Sequence, residues 1–266
     1  MSQVINERQV FTQTGPEMIE FSHVQVLFFQ DGQYFLGCRR QRKKPTIGTD
    51  ELYDVTRIPS TDYQPLLPPK TMILRRTDTS VYIKRPNLNN YSSTSSLSAN
   101  LIREIRVCEM LLQNPHRNIA TYLGCTPSGD RVDGIAFQRY PQSLMTLLNP
   151  TSLNKKDFLS NRQLSLETAE LYLGGIKAGI EHLHGLGFIH NDINPMNIMI
   201  SEENIAVIID FESCVKVGES LELIKRTHGW HDWNETIARE DNDLDALKEI
   251  RTWLTGTSAN EFQYLI

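Results

Sequence analysis

Between residues 190 and 211 the chain reads His190-Asn191-Asp192-Ile193-Asn194-Pro195-Met196-Asn197, then Ile198-Met199-Ile200, and later Ile208-Ile209-Asp210-Phe211. Two carboxylates and an amide thus stand at the ends of short apolar runs. An Asp five residues ahead of an Asn, with another Asp closing the next apolar run, can hold a divalent cation on a polyphosphate and orient a hydroxyl. No other segment concentrates chemistry in this way.

The totals leave room for such a site and narrow the alternatives. At 266 residues the chain is long enough for one large domain or two lobes with a good core. Its 39% hydrophobic and 22% charged residues are ordinary for a soluble globular protein. A formal charge of −5 gives no general attraction to nucleic acid or anionic lipid. No apolar run approaches the roughly 18 residues of a membrane helix, and the first residues lack a basic start followed by an apolar stretch. Cys38, Cys108, Cys125 and Cys214 show no paired spacing, so neither a zinc site nor a disulfide framework follows. The expected location is intracellular, cytoplasmic or nuclear, with no nucleic-acid and no membrane partner.

The elements that must position the site come next. Residues 23–29 and 33–38 flank Asp31-Gly32, a favoured hairpin turn. Residues 39–44 form a basic cluster read as a solvated loop. Residues 52–58 predict a strand, and 59–70, with four prolines, a loop. Residues 71–75 and 80–84 predict two paired strands, the second ending in Lys84. A polar connection spans 87–100. Leu101, Ile105, Cys108 and Leu112 then recur at helical spacing over 101–113. Short strands are expected at 119–123 and 134–139. The longest helix candidate is 166–186, with Ser165 as N-cap and three glycines inside it. Strands follow at 188–190, 197–200 and 205–209, and a last helix at 243–254. This is an α+β chain.

On these residues the chain resembles the protein-kinase-like superfamily, in its divergent, shortened fungal form. The catalytic loop of that family is H-x-D-x-x-x-x-N followed by D-F-G. The resemblance implies a two-lobed fold with a β-rich N-lobe over 51–140 and a shortened helical C-lobe over 141–266, preceded by an extension over 1–50 that carries the hairpin. It implies ATP and Mg²⁺ as cofactors and an unidentified protein substrate. Asp192 matches the residue that orients the attacking hydroxyl, and Asn197 and Asp210 match the metal ligands. Lys84 matches the lysine that contacts the phosphates. Its partner is expected at Glu104, with Glu109 as the alternative. Gln138, Arg139 and Tyr140 fall where the family offers backbone groups to adenine, and Asp243 where a helix Asp braces the catalytic loop.

The chain also departs from the pattern. No G-x-G-x-x-G precedes Lys84; Asn191 replaces the motif arginine, Asn194 a lysine, and Glu212 the glycine of D-F-G. The A-P-E signature is missing, and Thr227-His228-Gly229-Trp230 stands in the segment that receives a peptide. Three readings follow. One is a protein serine/threonine kinase. Another is a small-molecule kinase of the aminoglycoside or choline type, whose I-D-[FW]-E is matched by Ile209-Asp210-Phe211-Glu212. The third is an inactive, nucleotide-binding pseudokinase module.

Overall fold

The computed structural model describes residues 2–13, 18–42, 51–92 and 97–264. The chain falls into two compact units: Met1–Leu67 with Arg85–Leu101 and Pro127–Gly134, and Pro68–Lys84 with Ile102–Thr126 and Ile135–Ile266.

In the first unit, β1 (Gln3–Gln13), β2 (Ile19–Gln30), β3 (Gln33–Arg39) and β4 (Tyr53–Ile58) make one antiparallel sheet in that order. Asp31 and Gly32 join β2 to β3 with φ of 50° and 78°, the double positive-φ geometry of a type I′ hairpin. Side chains alternate across a sheet. Val24, Val26 and Phe28 therefore pack with Phe35 in one cluster, and Leu27, Leu36 and Ile58 with Leu88 and Leu97 in another. With both faces covered, the apolar run at 26–29 is needed on either side. β1 was not expected from the sequence, and β4 joins the hairpin's sheet. Arg39 is buried and forks onto Glu7 at 2.7 and 3.0 Å, so it belongs to the sheet rather than to a solvated basic loop. Lys43 and Lys44 of that cluster, and 93–96 of the polar connection, lie outside the described residues.

The proline-rich stretch contains a 3-10 turn at Ser60–Asp62 and is not free. Leu66 bridges Arg131, Val132 N donates to Pro65 O, and Leu67 N donates to Asp130 O.

In the second unit, β5 (Val81–Lys84) is followed by α1 (Leu97–Gln113), β6 (Tyr122–Ser128) and β7 (Arg131–Gln138), the helix and the last two strands lending residues to both units. The sheet order is β5-β7-β6, with Lys84 opposite Ile135. The expected pairing of 71–75 with 80–84 does not form. Ile73 instead bridges Cys125 in parallel, and Cys125 N donates to Met72 O at 2.7 Å. Gly124 permits this approach: its φ is +121°, and a Cβ there would stand 2.7 Å from Leu74 N. The helix expected from 101 begins at Leu97, and the strands expected at 119–123 and 134–139 are one longer hairpin turning at Gly129.

After β7 come β8 (Gln142–Ser143), α2 (Leu144–Leu148), α3 (Lys155–Asn161) and α4 (Leu166–Gly185). Ser165 caps α4, accepting from Thr168 N, and Ala169, Leu173, Ile176, Ile180 and Leu183 are its buried stripe, as the spacing predicts. Then follow β9 (Phe188–Ile189), β10 (Ile198–Ile200), β11 (Ala206–Ile208), β12 (Val215–Lys216) and α5 (Glu240–Thr255). β10 pairs with β11 and β8, and β9 with β12. Strands and helices together make the α+β class expected. The loop between β9 and β10, and the turn after β11, carry the residues with which the sequence analysis began.

Candidate active site

The 190–197 loop is held from α5. Asp243, fully buried, accepts from His190 N and Asn191 N at 2.8 Å each, and meets His184 Nε2 at 2.9 Å. Asp243 thus braces the loop through main-chain donors, which fixes its path whatever the side chains do. His190 is also buried; its Nε2 donates to Ile209 O at 3.0 Å and its Nδ1 accepts from Asp192 N at 3.3 Å. Asn191 has φ of 62°, a conformation asparagine tolerates, and its side chain donates to Ile189 O and Ser213 O. At the position of the motif arginine, this side chain is a buried structural bridge.

Asp192 is gripped by three neighbours. Its Oδ1 accepts from Thr227 N at 2.7 Å and from Asn194 Nδ2 at 3.1 Å, and its Oδ2 from Asn197 Nδ2 at 3.0 Å. Asn194 Nδ2 also reaches Thr227 Oγ1 at 3.2 Å. Burial pushes the Asp192 carboxyl above its ordinary value, against the opposing effect of Thr227. Three donors on one carboxylate fix its direction, and a fixed carboxylate can aim a hydroxyl.

Lys84 joins the second cluster. Its Nζ lies 2.8 Å from both Glu104 oxygens, 2.6 Å from Asp210 Oδ1 and 3.8 Å from Glu212 Oε2. Glu104 is 2% exposed, and its Oε1 also accepts from Phe211 N at 3.2 Å. Burial opposes charge on Lys84, but Glu104, Asp210 and Glu212 outweigh it and hold the ammonium above the usual lysine value. Burial likewise raises Glu104, and Lys84 only partly reverses this. Burial acts upward on Asp210 too; there Lys84 prevails and the carboxyl is held below its ordinary value. Of the two candidate partners for Lys84, Glu104 makes the contact. Glu109 accepts from Met72 N and the Tyr122 hydroxyl instead.

Asp210 sits at φ 64°, ψ 82°, a left-handed position that turns its carboxylate back onto the Glu212 amide. Its Oδ1 is shared by Lys84 and that amide, leaving Oδ2. Asn197 spends Nδ2 on Asp192, leaving Oδ1. Two oxygens of this kind suit a hard divalent cation. Among the described residues no group of three or more His, Cys, Asp or Glu could hold a metal.

Lys84 and Asp210 line a cavity of about 340 Å³, together with Tyr82, Ala120, Phe137, Met199 and Ile209. Its size is at the low end of the roughly 300–1,000 Å³ of small-molecule clefts. Gln138, Arg139 and Tyr140 line it as well. Two of their three amides are already used: Gln138 N donates to Thr121 O, and Arg139 N to Ser80 O. The Arg139 guanidinium is turned onto Thr79 O and Val81 O. Of the three main-chain amides, that of Tyr140 alone makes no hydrogen bond among the described residues.

Sequence reasoning missed the Thr227 amide and the double role of Asn194. A main-chain donor leaves no mark in a sequence, whereas an Asn two residues after Asp192 was visible and read only as a missing lysine. It also missed Tyr82 and Met199 as cavity walls.

The family model for the protein kinase domain matches residues 70–243, well over half of the chain. Among similar proteins, the serine/threonine-protein kinase sax-1 of Caenorhabditis elegans is 28% identical over 105 residues, covering 39% of this chain and 20% of that protein. Serine/threonine-protein kinase ELM1 of Saccharomyces cerevisiae is 41% identical over 68 residues, covering 25% and 10%. The probable serine/threonine-protein kinase PknB of Bifidobacterium longum is 29% identical over 93 residues, covering 35% and 13%. The matches thus span a fifth or less of these relatives' own lengths.

Proposed function

The chain belongs to the protein kinase domain family, and from that premise we propose that it is an ATP- and Mg²⁺-dependent phosphotransferase in which Asp192 orients the acceptor hydroxyl. One observation carries the reading: Lys84 contacts Glu104 and Asp210 at the same time, at 2.8 and 2.6 Å. A buried carboxylate thereby sets the lysine in place, and the lysine in turn meets the acidic group best suited to a cation.

The roles follow from the contacts. Lys84 holds phosphate oxygens while Glu104 keeps its ammonium from swinging away. Asp210 and Asn197 would hold Mg²⁺ through their free oxygens, and the ion would supply charge neutralisation for the phosphates. The apolar walls at Ala120, Phe137, Met199 and Ile209 take a flat base, with the Tyr140 amide as a hydrogen-bond donor to it. Asp192, fixed by Thr227, Asn194 and Asn197, aims the acceptor.

The relatives' names carry "serine/threonine-protein kinase", which favours a protein acceptor. A small hydroxyl compound is the second reading, favoured by Asn194: a buried, neutral amide stands where many protein kinases place a lysine. Transfer of labelled γ-phosphate to a peptide library and, separately, to amino-alcohol metabolites divides the two. In either case Asp192→Asn is expected to lower the rate by about 10²–10⁴-fold. Undiminished transfer by that variant would remove Asp192 from the mechanism.

A further inference from the structure

Lys155 opens α3 with Phe158 three residues on, and Glu249 and Trp253 stand four apart on α5. Those spacings put each pair on one face of its helix. The two faces meet: Phe158 stacks on Trp253 with centroids 4.2 Å apart, and Lys155 Nζ pairs with Glu249 Oε1. The two charged side chains are 10% and 1% exposed. A buried ion pair is often no more stabilising than apolar residues of the same volume. Its other contacts show what this one holds.

Lys155 Nζ also donates to Gly229 O and, at 3.2 Å, to Tyr264 O. It lies over the Trp230 ring, 4.3 Å from the centroid, and over that of Phe262 at 4.8 Å. Glu249 accepts from Gln263 N at 3.0 Å and from Tyr264 N at 3.3 Å. One ammonium thus ties residues 229 and 230 to α3, to α5 and to the 262–264 stretch. Gly229, buried at φ +82°, turns the chain here. Two residues earlier stands Thr227, whose amide donates to Asp192 Oδ1 at 2.7 Å. Ahead of Thr227, Ser213 Oγ donates to Lys225 O, and Arg226 turns onto Asp232 O and Glu235 O within its own loop. Lys155 is what fastens the other side of Thr227 to the helices. We propose that Lys155, held by Glu249, is a positioning residue for phosphotransfer: it anchors residues 227–230 so that the Thr227 amide stays on Asp192 and keeps that carboxylate aimed. The catalytic consequence rests on the role proposed above for Asp192; the anchoring of Thr227 does not.

The test is amide hydrogen exchange at Thr227, read by NMR on the full chain, for wild type and Lys155→Met/Glu249→Met. Replacing both charges by apolar side chains of similar volume is often neutral for a buried pair, so the double variant is expected to fold. Lys155→Met alone, which keeps the Glu249 bonds to Gln263 N and Tyr264 N, is the second variant. The amides of α4 report overall stability. Relative to them, Thr227 should exchange about tenfold faster in either variant than in the wild type. Transfer of γ-phosphate to a peptide or amino-alcohol acceptor should show kcat lowered by about tenfold. The KM for Mg-ATP should not change, because neither side chain bonds to Lys84, Asn197 or Asp210 among the described residues. A pair that served stability alone would move Thr227 and α4 together and leave kcat of the folded protein as it was. Thr227 exchange that keeps its wild-type ratio to α4 overturns the proposal, and so does faster exchange with unchanged kcat. An unprotected Thr227 amide in the wild type overturns it as well. A wild type that transfers no phosphate would remove the role of Asp192, while Thr227 exchange still decides the anchoring.

Discussion

Lys84 is where single-residue effects should be largest, because three acidic side chains depend on it. Lys84→Met leaves Glu104 buried without a cation. Removing one partner of a buried pair typically costs about 3–5 kcal/mol, but Glu104 can take up a proton instead, since burial already raises its carboxyl to about 7. The expected loss is therefore about 1–3 kcal/mol near pH 7. The sign of the pH effect follows. A carboxyl whose folded pKa is raised stabilises the fold below its unfolded pKa, and that contribution is lost as pH rises through the folded one. Removing the lysine moves the folded pKa higher still, so Lys84→Met should lose more stability relative to wild type at about pH 8.5 than at about pH 6. Urea unfolding at the two values checks this; a constant difference would show that Glu104 does not depend on the lysine. The grouping of Asp192, Asn197 and Asp210 was visible because their spacing lies within one short stretch of sequence, whereas the contact of Lys84 with Asp210 joins residues far apart in the chain. Glu104 could be separated from Glu109 only as a preference, because both border the buried stripe of α1.

At the scale of elements, α4 offers an internal control. A Cβ on Gly179 would stand 2.9 Å from Asn118 O and 2.8 Å from Ile208 Cδ1, whereas a Cβ on Gly174 would meet nothing within 4 Å. Gly174→Ala should stabilise the chain by about 0.5–1 kcal/mol through helix propensity. Gly179→Ala should destabilise it by about 1–3 kcal/mol by overpacking against the 118–119 turn and β11. Thermal melts of the two variants should shift in opposite directions; equal shifts would contradict the packing. The sequence marked these glycines as costly but could not say which were needed for close approach, since that depends on Asn118, far away along the chain. α4 itself was legible from its cap and long stripe, and the β2–β3 hairpin from Asp31-Gly32. β1 was not, because its residues are mostly exposed and show no clean alternation. α2 and α3, at five and seven residues, are too short for a periodic pattern to emerge. The pairing of Ile73 with Cys125 depends on a glycine fifty-one residues further on, which local alternation cannot reveal.

At the scale of the whole molecule, the protein kinase domain match runs over residues 70–243, and the sheet β1–β4 lies N-terminal to it. No helix among the described residues is long and apolar enough to cross a membrane. Stability should also depend on acid through His231, which is buried in the segment that follows Thr227. Burial, with Arg226, pushes its imidazole down to about 4. A lowered His pKa means that the unfolded chain binds the proton first, so stability should fall as pH drops from about 6.5 to about 4, by up to about 3 kcal/mol. His231→Phe should flatten that slope in unfolding titrations across the same range; an unchanged slope would assign the acid sensitivity elsewhere. The central claim, a site built for Mg²⁺ and ATP around Lys84, Asn197 and Asp210, is tested most directly by the melting transition of wild type and Asp210→Asn in a Mg-ATP titration. At about 100 times the dissociation constant the wild type should gain about 2.7 kcal/mol, and Asp210→Asn should lose most of that gain. No shift in the wild type at any accessible concentration, or an equal shift in the variant, would contradict the account.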